Sequence, residues 1–343
     1  MTSRLFNLWA FCLLSIYAYA HPPSAPIKEP SIKKSLFDVL QNQEIQQVSL
    51  EMDMEALLNN RKTNEEIPAQ FSFSGNNGLP QVLNVKVRSR GRFRRRICEM
   101  PPLKLNFKKG ELKEVGLQKF DSYKLVTHCI NDEDARDNIL KEFLAYQMYE
   151  KMTRYSFRTQ LVEITYRDSK TGEEQQQLGF FIEDTDELAK RLNATRIKER
   201  YGSSLADLET NNAMLQTMFQ YMIGNVDWEV VSLRNLKMMQ PMNSEVPVII
   251  PYDFDFSGFV NPSYAKARRD LGQQTPTQRV FLGKGLEKES WEKIVRYYKA
   301  KKPEILKTID NCSLLSRAGK KEAKAYLMDF FNQLDYSHLF IES

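Results

Sequence analysis

The sequence predicts an α+β protein whose N-terminal half is rich in strands and whose C-terminal half is mostly helical. Short segments that alternate apolar and polar residues, separated by turn residues, recur between residues 48 and 107, which predicts an antiparallel sheet. Apolar stripes at helical spacing follow at residues 139–149, 214–222 and 291–334. A chain of 343 residues, 42% of them hydrophobic, can build one large domain or two close-packed lobes.

The first twenty residues have the form of a cleaved secretory signal peptide. Arg4 precedes an apolar run at residues 5–17, and Ala18-Tyr19-Ala20 is a small-x-small cleavage site. Residues 21–35 contain four prolines and are predicted to be a linker. No later apolar run approaches the length of about 20 residues that spans a bilayer. We therefore expect an exported protein, periplasmic or extracellular, with no membrane span after signal cleavage.

Composition and cysteine usage exclude several classes of protein. Lys plus Arg exceed Asp plus Glu by only 49 to 44, so nucleic acid is not an expected partner. The three histidines and the cysteine spacings do not fit a zinc hydrolase, and no Gly-x-Ser-x-Gly motif is present. In an oxidising compartment Cys98 and Cys129 would join neighbouring strands, but the spacing alone does not decide whether this disulfide forms.

A segment rich in arginine is the first candidate for ligand binding. Six arginines fall in the nine positions 88–96, around Gly91. On a continued strand, Arg88, Arg90 and Arg92 would share one face, and their guanidinium groups suit phosphate oxygens or an acidic substrate. A solvated basic edge that prevents strand-to-strand aggregation is the alternative.

Two lysines and one glutamate are further candidates. Lys104 stands between apolar neighbours on a predicted strand, and Lys124 lies on the next one; we prefer Lys104 as the phosphate contact. Glu142 lies within the apolar stripe of a predicted helix that is capped near residues 131–134. Such a glutamate can belong to a solvated helix face, or it can orient the phosphate-binding lysine, as in kinase-like folds.

Farther along the chain, acidic and amide side chains occur in two predicted loops. Asp227 follows a Gly-Asn turn, Asn235 comes eight positions later, and Asp253 and Asp255 follow a β-type run. Oxygen ligands of this kind suit Mg²⁺, and phosphoryl transfer requires a carboxylate that orients or deprotonates the attacking hydroxyl. Turn chemistry is the simpler explanation for either motif alone. Their combination indicates a phosphate-transfer site.

The order of these motifs resembles the spore-coat-protein-H (CotH) family of secreted atypical kinases. The resemblance extends over roughly residues 80–260, and its most specific parts are Asn225-Val226-Asp227-Trp228 with Asn235, and Tyr252-Asp253-Phe254-Asp255. It implies a two-lobed kinase-like fold. An N-terminal antiparallel sheet with one helix would occupy residues 36–183, and a mostly helical catalytic lobe would occupy residues 184–343.

The resemblance also implies ATP and Mg²⁺ as cofactors and assigns roles to individual residues. Asp227 would be the catalytic carboxylate, and Asn235 and Asp253 would be metal ligands, with Asp255 as an alternative to Asp253. The expected nucleotide-binding residues are Arg90, Gly91, Lys104, Glu142 and Glu183, the last at the linker between the lobes near the adenine.

We therefore predict an exported kinase that transfers the ATP γ-phosphate to Ser, Thr or another hydroxyl of an exported protein or glycan. Two alternatives stay open. One is a kinase-shaped pseudoenzyme that serves as a binding or assembly protein of the cell envelope. The other is nucleotidyl or glutamyl transfer from the same site.

Overall fold

The computed structural model describes residues 33–41, 45–75, 78–132, 134–283 and 288–336. The elements lie in one compact unit, Lys34–Ser343. The predicted signal peptide and nearly all of the predicted linker lie outside the described residues. The division into lobes at residues 183 and 184 stays a prediction.

The protein is a mixed α+β structure, as the sequence predicts. The strands are β1 (Gln46–Met52), β2 (Ile67–Ser74), β3 (Pro80–Ser89), β4 (Leu103–Phe107), β5 (Ser122–Val126), β6 (Thr159–Asp168), β7 (Glu174–Ile182), β8 (Ala194–Ile197), β9 (Leu236–Pro241) and β10 (Val248–Pro251). The α-helices are α1 (Leu36–Leu40), α2 (Met54–Asn59), α3 (Arg94–Ile97), α4 (Lys109–Glu114), α5 (Ala135–Met152), α6 (Thr185–Arg191), α7 (Thr210–Met222), α8 (Lys288–Asn311) and α9 (Arg317–Gln333). Short 3₁₀ turns occupy Asn60–Lys62, Leu205–Asp207, Arg269–Leu271 and Leu334–Tyr336.

Seven strands close into a barrel in the order β1-β2-β3-β4-β5-β7-β6. Neighbouring strands are antiparallel except β1 and β6, which pair in parallel from Gln46 opposite Val162 to Met52 opposite Asp168. Alternate residues along β2 are buried and fill the barrel interior with apolar side chains, Phe71 and Phe73 among them. The expected antiparallel sheet with one helix is therefore corrected: the sheet is closed by a parallel pair, and several short helices accompany it.

Helix α5 is the long helix of the N-terminal half, as its apolar stripe predicts. Ile139, Leu140, Leu144 and Met148 are buried and belong to the same core as residues of α7, α8 and α9. The helix therefore packs between the barrel and the helical half and places its side chains at the boundary of the two. Within the described residues, no helix has the length and apolar character needed to cross a lipid bilayer.

The C-terminal half adds a small antiparallel sheet, with β9 between β8 and β10. Helix α7 is tied to this sheet because the Asn212 amide donates to the Ile249 carbonyl at 3.1 Å and accepts from the Ile249 N–H at 2.8 Å. Each polar group of Asn212 is thereby satisfied within the protein interior. The contact fixes the strand that leads to Asp253 against the helix that leads to Asp227.

The arginine segment does not continue β3 as predicted. The strand ends at Ser89, Gly91 adopts a φ of 82°, and the short helix α3 begins at Arg94. Glycine occupies this left-handed backbone conformation at little steric cost, so Gly91 turns the chain out of the sheet. The expected common face of Arg88, Arg90 and Arg92 is therefore wrong: only Arg88 lies on the strand.

A disulfide joins Cys98 to Cys129, and Cys312 is a free thiol. The Glu99 N–H donates to the Cys129 carbonyl at 2.8 Å, so backbone and side-chain links hold the same pair of segments together. Because Cys98 follows α3 directly and Cys129 precedes α5, the disulfide fastens the arginine helix close to α5.

We expect the Cys98→Ala/Cys129→Ala variant to lose about 3 to 4 kcal/mol of unfolding free energy, because a sequence separation of 31 residues no longer constrains the unfolded chain. Chemical denaturation under oxidising conditions measures the loss. Cys312→Ala is the matched control and should change the unfolding free energy by less than about 1 kcal/mol. Equal stability of the double variant and this control would contradict the prediction.

Candidate functional site

One cavity of about 580 Å³ collects the residues of the predicted transfer site. Gly91 of the arginine segment, Asp227 and Asn235 of the loop after α7, and Asp253 and Asp255 after β10 all line it. Gly91 stands more than a hundred positions before the other four in the chain. The fold therefore brings together the phosphate-binding and metal-binding motifs that the sequence analysis singled out, and we call this space the central cavity.

Asp227 is oriented by two asparagines. Its N–H donates to Asn225 Oδ1 at 2.9 Å, and Asn235 Nδ2 donates both to the Asp227 carbonyl at 2.7 Å and to Oδ2 at 3.0 Å. The other carboxylate oxygen, Oδ1, lies 3.5 Å from Arg234 and 3.9 Å from Arg268. The side chain is therefore held in one orientation but keeps 31% of its surface exposed.

The electrostatic setting of Asp227 suits a proton acceptor. Burial raises the pKa of its carboxyl group, and the charge of Asp253 adds to the increase, while Arg234, Arg268 and Asn235 act against it. A carboxylate with a raised pKa is a better base than an exposed aspartate. Asp227 can thus take a proton from a hydroxyl that enters the central cavity.

The backbone is strained where the site residues lie. Asn235 and Asp253 have φ angles of 53° and 68°, a conformation that costs energy for residues other than glycine. Two hydrogen bonds support it: the Tyr252 N–H donates to the Asn235 carbonyl at 3.0 Å, and the Asp253 N–H donates to the hydroxyl of Tyr146 on α5 at 2.7 Å. Strain that persists in this way is typical of functional sites.

Three carboxylates form a compact group, and two of them line the central cavity. Oxygen atoms of Glu142, Asp253 and Asp255 lie within 4.8 Å of one another, and we call these residues the acidic cluster. Burial raises the pKa of Glu142 to about 8 and that of Asp255 to about 7. Burial acts in the same direction on Asp253, but Arg94, Arg90 and nearby Lys124 together lower its pKa below the ordinary value.

Arg94 lies among the acidic cluster, and the sequence analysis did not identify it. Its Nη1 is 3.2 Å from Glu142 and its Nε is 3.1 Å from Asp255, while Nη2 contacts Asp253. Arg94 is 4% exposed. The predicted pair of Lys104 with Glu142 is not formed in the described structure, because Glu142 pairs with Arg94. The density of arginines at residues 88–96 was the only sequence signal for this residue.

A second group of charges, which we call the basic cluster, consists of Arg90, Lys124 and Lys237. Lys124 Nζ lies 4.3 Å from the ring centroid of Tyr252, and Lys237 Nζ lies 4.8 Å from it. Arg90 Nη1 and Lys124 Nζ are buried and have no hydrogen-bond partner within the described residues. Buried N–H groups without an acceptor cost energy, so a ligand with acceptor oxygens, such as an anion, would satisfy both of them.

Both lysines of the basic cluster have lowered pKa values. Burial lowers the pKa of Lys124 well below its ordinary value, and the charges of Arg90 and Lys237 lower it further. Burial, followed by the charges of Arg196 and Arg90, lowers the pKa of Lys237 to about 8. Asp253 opposes both shifts. The basic cluster therefore adjoins the acidic cluster at Asp253.

Lys104 and Glu183 belong to neither cluster. Lys104 is half-buried and stands directly opposite Lys124 in the β4–β5 pair, on the neighbouring strand. The Glu183 carboxylate is buried, 2.8 Å from both Arg158 and Arg191. Its oxygens are therefore engaged within the protein, and its expected position beside the adenine stays a prediction, as does the nucleotide contact of Lys104.

No protein-family model matches this sequence, and no curated protein matches it significantly. Among solved structures, the chain aligns with a proinflammatory kinase, CtkA, from Helicobacter pylori, with a TM-score of 0.39 and 11% sequence identity. The alignment covers 75% of this chain and 95% of the CtkA chain. A similarity at this level does not by itself establish a common fold or function. The resemblance to the spore-coat-protein-H family stays a prediction.

Proposed function

We propose that this protein is an exported, Mg²⁺-dependent phosphotransferase that moves the γ-phosphate of ATP to a hydroxyl of an exported protein or glycan. The observation that carries the proposal is the basic cluster, in which the buried Arg90 Nη1 and Lys124 Nζ have no hydrogen-bond partner within the described residues. It adjoins the acidic cluster at Asp253, while the oriented Asp227 lies in the same cavity as Asp253. The basic cluster would bind phosphate oxygens, the acidic cluster would bind a divalent cation, and Asp227 would contact the acceptor hydroxyl.

The chemistry of the donor atoms fits a magnesium ion. The acidic cluster offers three carboxylates within 4.8 Å, and the single charge of Arg94 does not neutralise all of them when they are ionised. Asp253, Asp255 and the amide oxygen of Asn235 would hold the ion, because hard cations prefer oxygen ligands. A bound Mg²⁺ would neutralise negative charge on the phosphates.

Residues of the chain itself bind the phosphates and accept the proton. Arg90, Lys124 and Lys237 bind and position the phosphates by charge-assisted hydrogen bonds. Asp227 accepts the proton of the acceptor hydroxyl as that oxygen bonds to the γ-phosphorus and the bond from phosphorus to the departing ADP oxygen breaks. The hydrogen bonds from Asn235 keep the carboxylate directed toward the cavity throughout.

The position of Arg94 favours a second candidate function. Arg94 contacts all three carboxylates of the acidic cluster and so supplies a positive charge there without a metal. A kinase-shaped binding or assembly protein of the cell envelope, which holds an acidic polymer and transfers nothing, would need no other cation. Magnesium-dependent binding of ATP distinguishes the two candidates, because the second does not require it.

Lys124→Met should weaken Mg·ATP binding about tenfold to a hundredfold, because a hydrogen bond to a charged group contributes about 1.5 to 3 kcal/mol. The matched control is Lys104→Met, its neighbour across the sheet, which should change the affinity less than about twofold. Calorimetric titration measures both affinities. Without nucleotide, Lys124→Met should unfold no more easily than the wild type, because the buried Nζ has no hydrogen-bond partner within the described residues to lose.

Two results would contradict this assignment. If Lys104→Met lost affinity for Mg·ATP and Lys124→Met did not, the phosphate contact would be assigned to Lys104. A wild-type protein whose melting temperature does not rise with saturating Mg·ATP would contradict the proposed function itself, since a ligand at about a hundred times its dissociation constant adds about 2.7 kcal/mol.

A further inference from the structure

The outer part of the central cavity carries positive charge that the phosphate site does not use. Arg92, Arg96 and Lys266 line the cavity with exposed side chains, and none of them has an ion pair with another described residue. The arginine segment contributes Arg92, just before α3, and Arg96, on α3, and the segment after Asp255 contributes the third cation. The entrance to Asp227 is therefore bordered by cations from two separate parts of the chain.

The acidic side chains inside the cavity do not neutralise the outer cations Arg92, Arg96 and Lys266. Arg94 is engaged with the acidic cluster, and Asp227 is already approached by Arg234 and Arg268. Among the described residues, the carboxylates that line the cavity form ion pairs with Arg94, Arg234 and Arg268 and none with the outer cations. Because like charges gathered at one opening repel each other, they favour a negatively charged ligand.

An apolar surface lies among the outer cations. Phe93 follows Arg92, lines the cavity and is 41% exposed, although its ring packs against Phe256 at 5.3 Å and Tyr264 at 6.2 Å between centroids. An aromatic ring that is anchored on one side and open on the other is a contact surface for an apolar side chain. A ligand that fits this entrance carries both carboxylates and an apolar group.

We propose that the acceptor is an acidic polypeptide segment, in which a serine or threonine is flanked by aspartate or glutamate residues and by one apolar residue. Its carboxylates would bind Arg92, Arg96 and Lys266, its apolar side chain would pack on Phe93, and its hydroxyl would reach Asp227. The guanidinium group matches a planar carboxylate with two parallel hydrogen bonds, and a polypeptide supplies the apolar group as well. The assignment of this segment as the acceptor rests on the proposed phosphotransferase function.

Binding of labelled peptides in the absence of nucleotide tests the inference separately from catalysis. The probe is a peptide with a serine between glutamates and a neighbouring leucine, and the comparison peptide has glutamine in place of every glutamate. Fluorescence anisotropy should give at least tenfold tighter binding of the acidic peptide, and added salt should weaken that binding. Competition by polygalacturonate in the same assay tests whether an anionic glycan binds this entrance instead.

The variant Arg92→Gln/Arg96→Gln should bind the acidic peptide about tenfold more weakly, since exposed ion pairs contribute up to about fivefold each. Both side chains are exposed, so the fold should be retained. Arg95→Gln is the matched control, because Arg95 lies between these two residues in the arginine segment but donates to the Thr63 carbonyl and to Asn64. It should change the affinity less than about twofold.

Equal binding of the acidic and glutamine peptides would overturn the inference, as would equal affinities of the double variant and Arg95→Gln. Tighter binding of polygalacturonate than of the acidic peptide would overturn it in favour of a glycan. Stabilisation by Mg·ATP is measured in parallel and should be unchanged in the double variant. A wild-type protein that binds the acidic peptide but not ATP would contradict the proposed function while supporting recognition of an acidic segment.

Discussion

Arg94→Met should destabilise the protein by about 3 to 5 kcal/mol at neutral pH, the cost of leaving buried charges without their partner. Arg94 is the positive charge in direct contact with Glu142, Asp253 and Asp255. Methionine retains much of the side-chain volume but carries no charge, so the substitution separates the electrostatic contribution from packing. Chemical denaturation in buffer without divalent cations measures the difference.

The destabilisation should depend on pH with a defined sign. Folding raises the pKa of Glu142 to about 8 and that of Asp255 to about 7. A carboxyl group with a raised pKa stabilises the fold fully below its unfolded value, and this contribution is lost as the pH rises through the folded value. Because Arg94 counteracts both increases, its removal raises them further. The variant should therefore lose stability more steeply than the wild type between pH 4.5 and pH 8.

Magnesium provides an independent test of the same cluster. If the carboxylates bind a divalent cation, Mg²⁺ should stabilise Arg94→Met more than the wild type, because the ion then replaces the missing positive charge. Arg95→Met, on the same helix but directed toward Thr63 and Asn64, is the matched control. A variant as stable as this control at every pH would show that Arg94 does not hold the acidic cluster together.

Asp227→Asn should reduce phosphate transfer by about a hundredfold to ten-thousandfold, the range that a general base contributes. Asparagine has nearly the same shape but does not accept the hydroxyl proton. The basic cluster is unchanged by this substitution, so the affinity for Mg·ATP should stay within about threefold of the wild type. Transfer of labelled phosphate to the acidic serine peptide, measured at saturating ATP, gives the rate.

The control for Asp227→Asn is Glu229→Gln. Glu229 is another exposed carboxylate 3.3 Å from Arg234, and its removal changes the local charge in the same way without touching the asparagine contacts of Asp227. It should leave the rate within about threefold. If both variants lose activity equally, the effect comes from Arg234 or from net charge. If Asp227→Asn transfers phosphate at the wild-type rate, another group accepts the proton.

Local patterns in the sequence predicted much of the fold. The apolar stripe of α5 and the antiparallel pairing of the strands between residues 48 and 107 are confirmed. Both depend on interactions between residues that are close in the chain, where periodicity and turn residues are informative. The closure of the barrel could not be predicted in this way, because the parallel pair of β1 with β6 joins segments more than a hundred residues apart.

In the candidate site, too, some features follow from local sequence and others only from the tertiary structure. Asp227, Asn235, Asp253 and Asp255 stand at the ends of elements that the sequence itself determined, and oxygen ligands at chain reversals indicated their chemistry. Only the tertiary structure decided the partners of these residues. The turn at Gly91 withdraws the arginines from β3, and the fold then buries Arg94 among three carboxylates from α5 and the loop after β10. It also leaves Lys124 rather than Lys104 against Tyr252. Ion pairing and burial depend on distances between segments remote in the chain, and no local pattern encodes those distances.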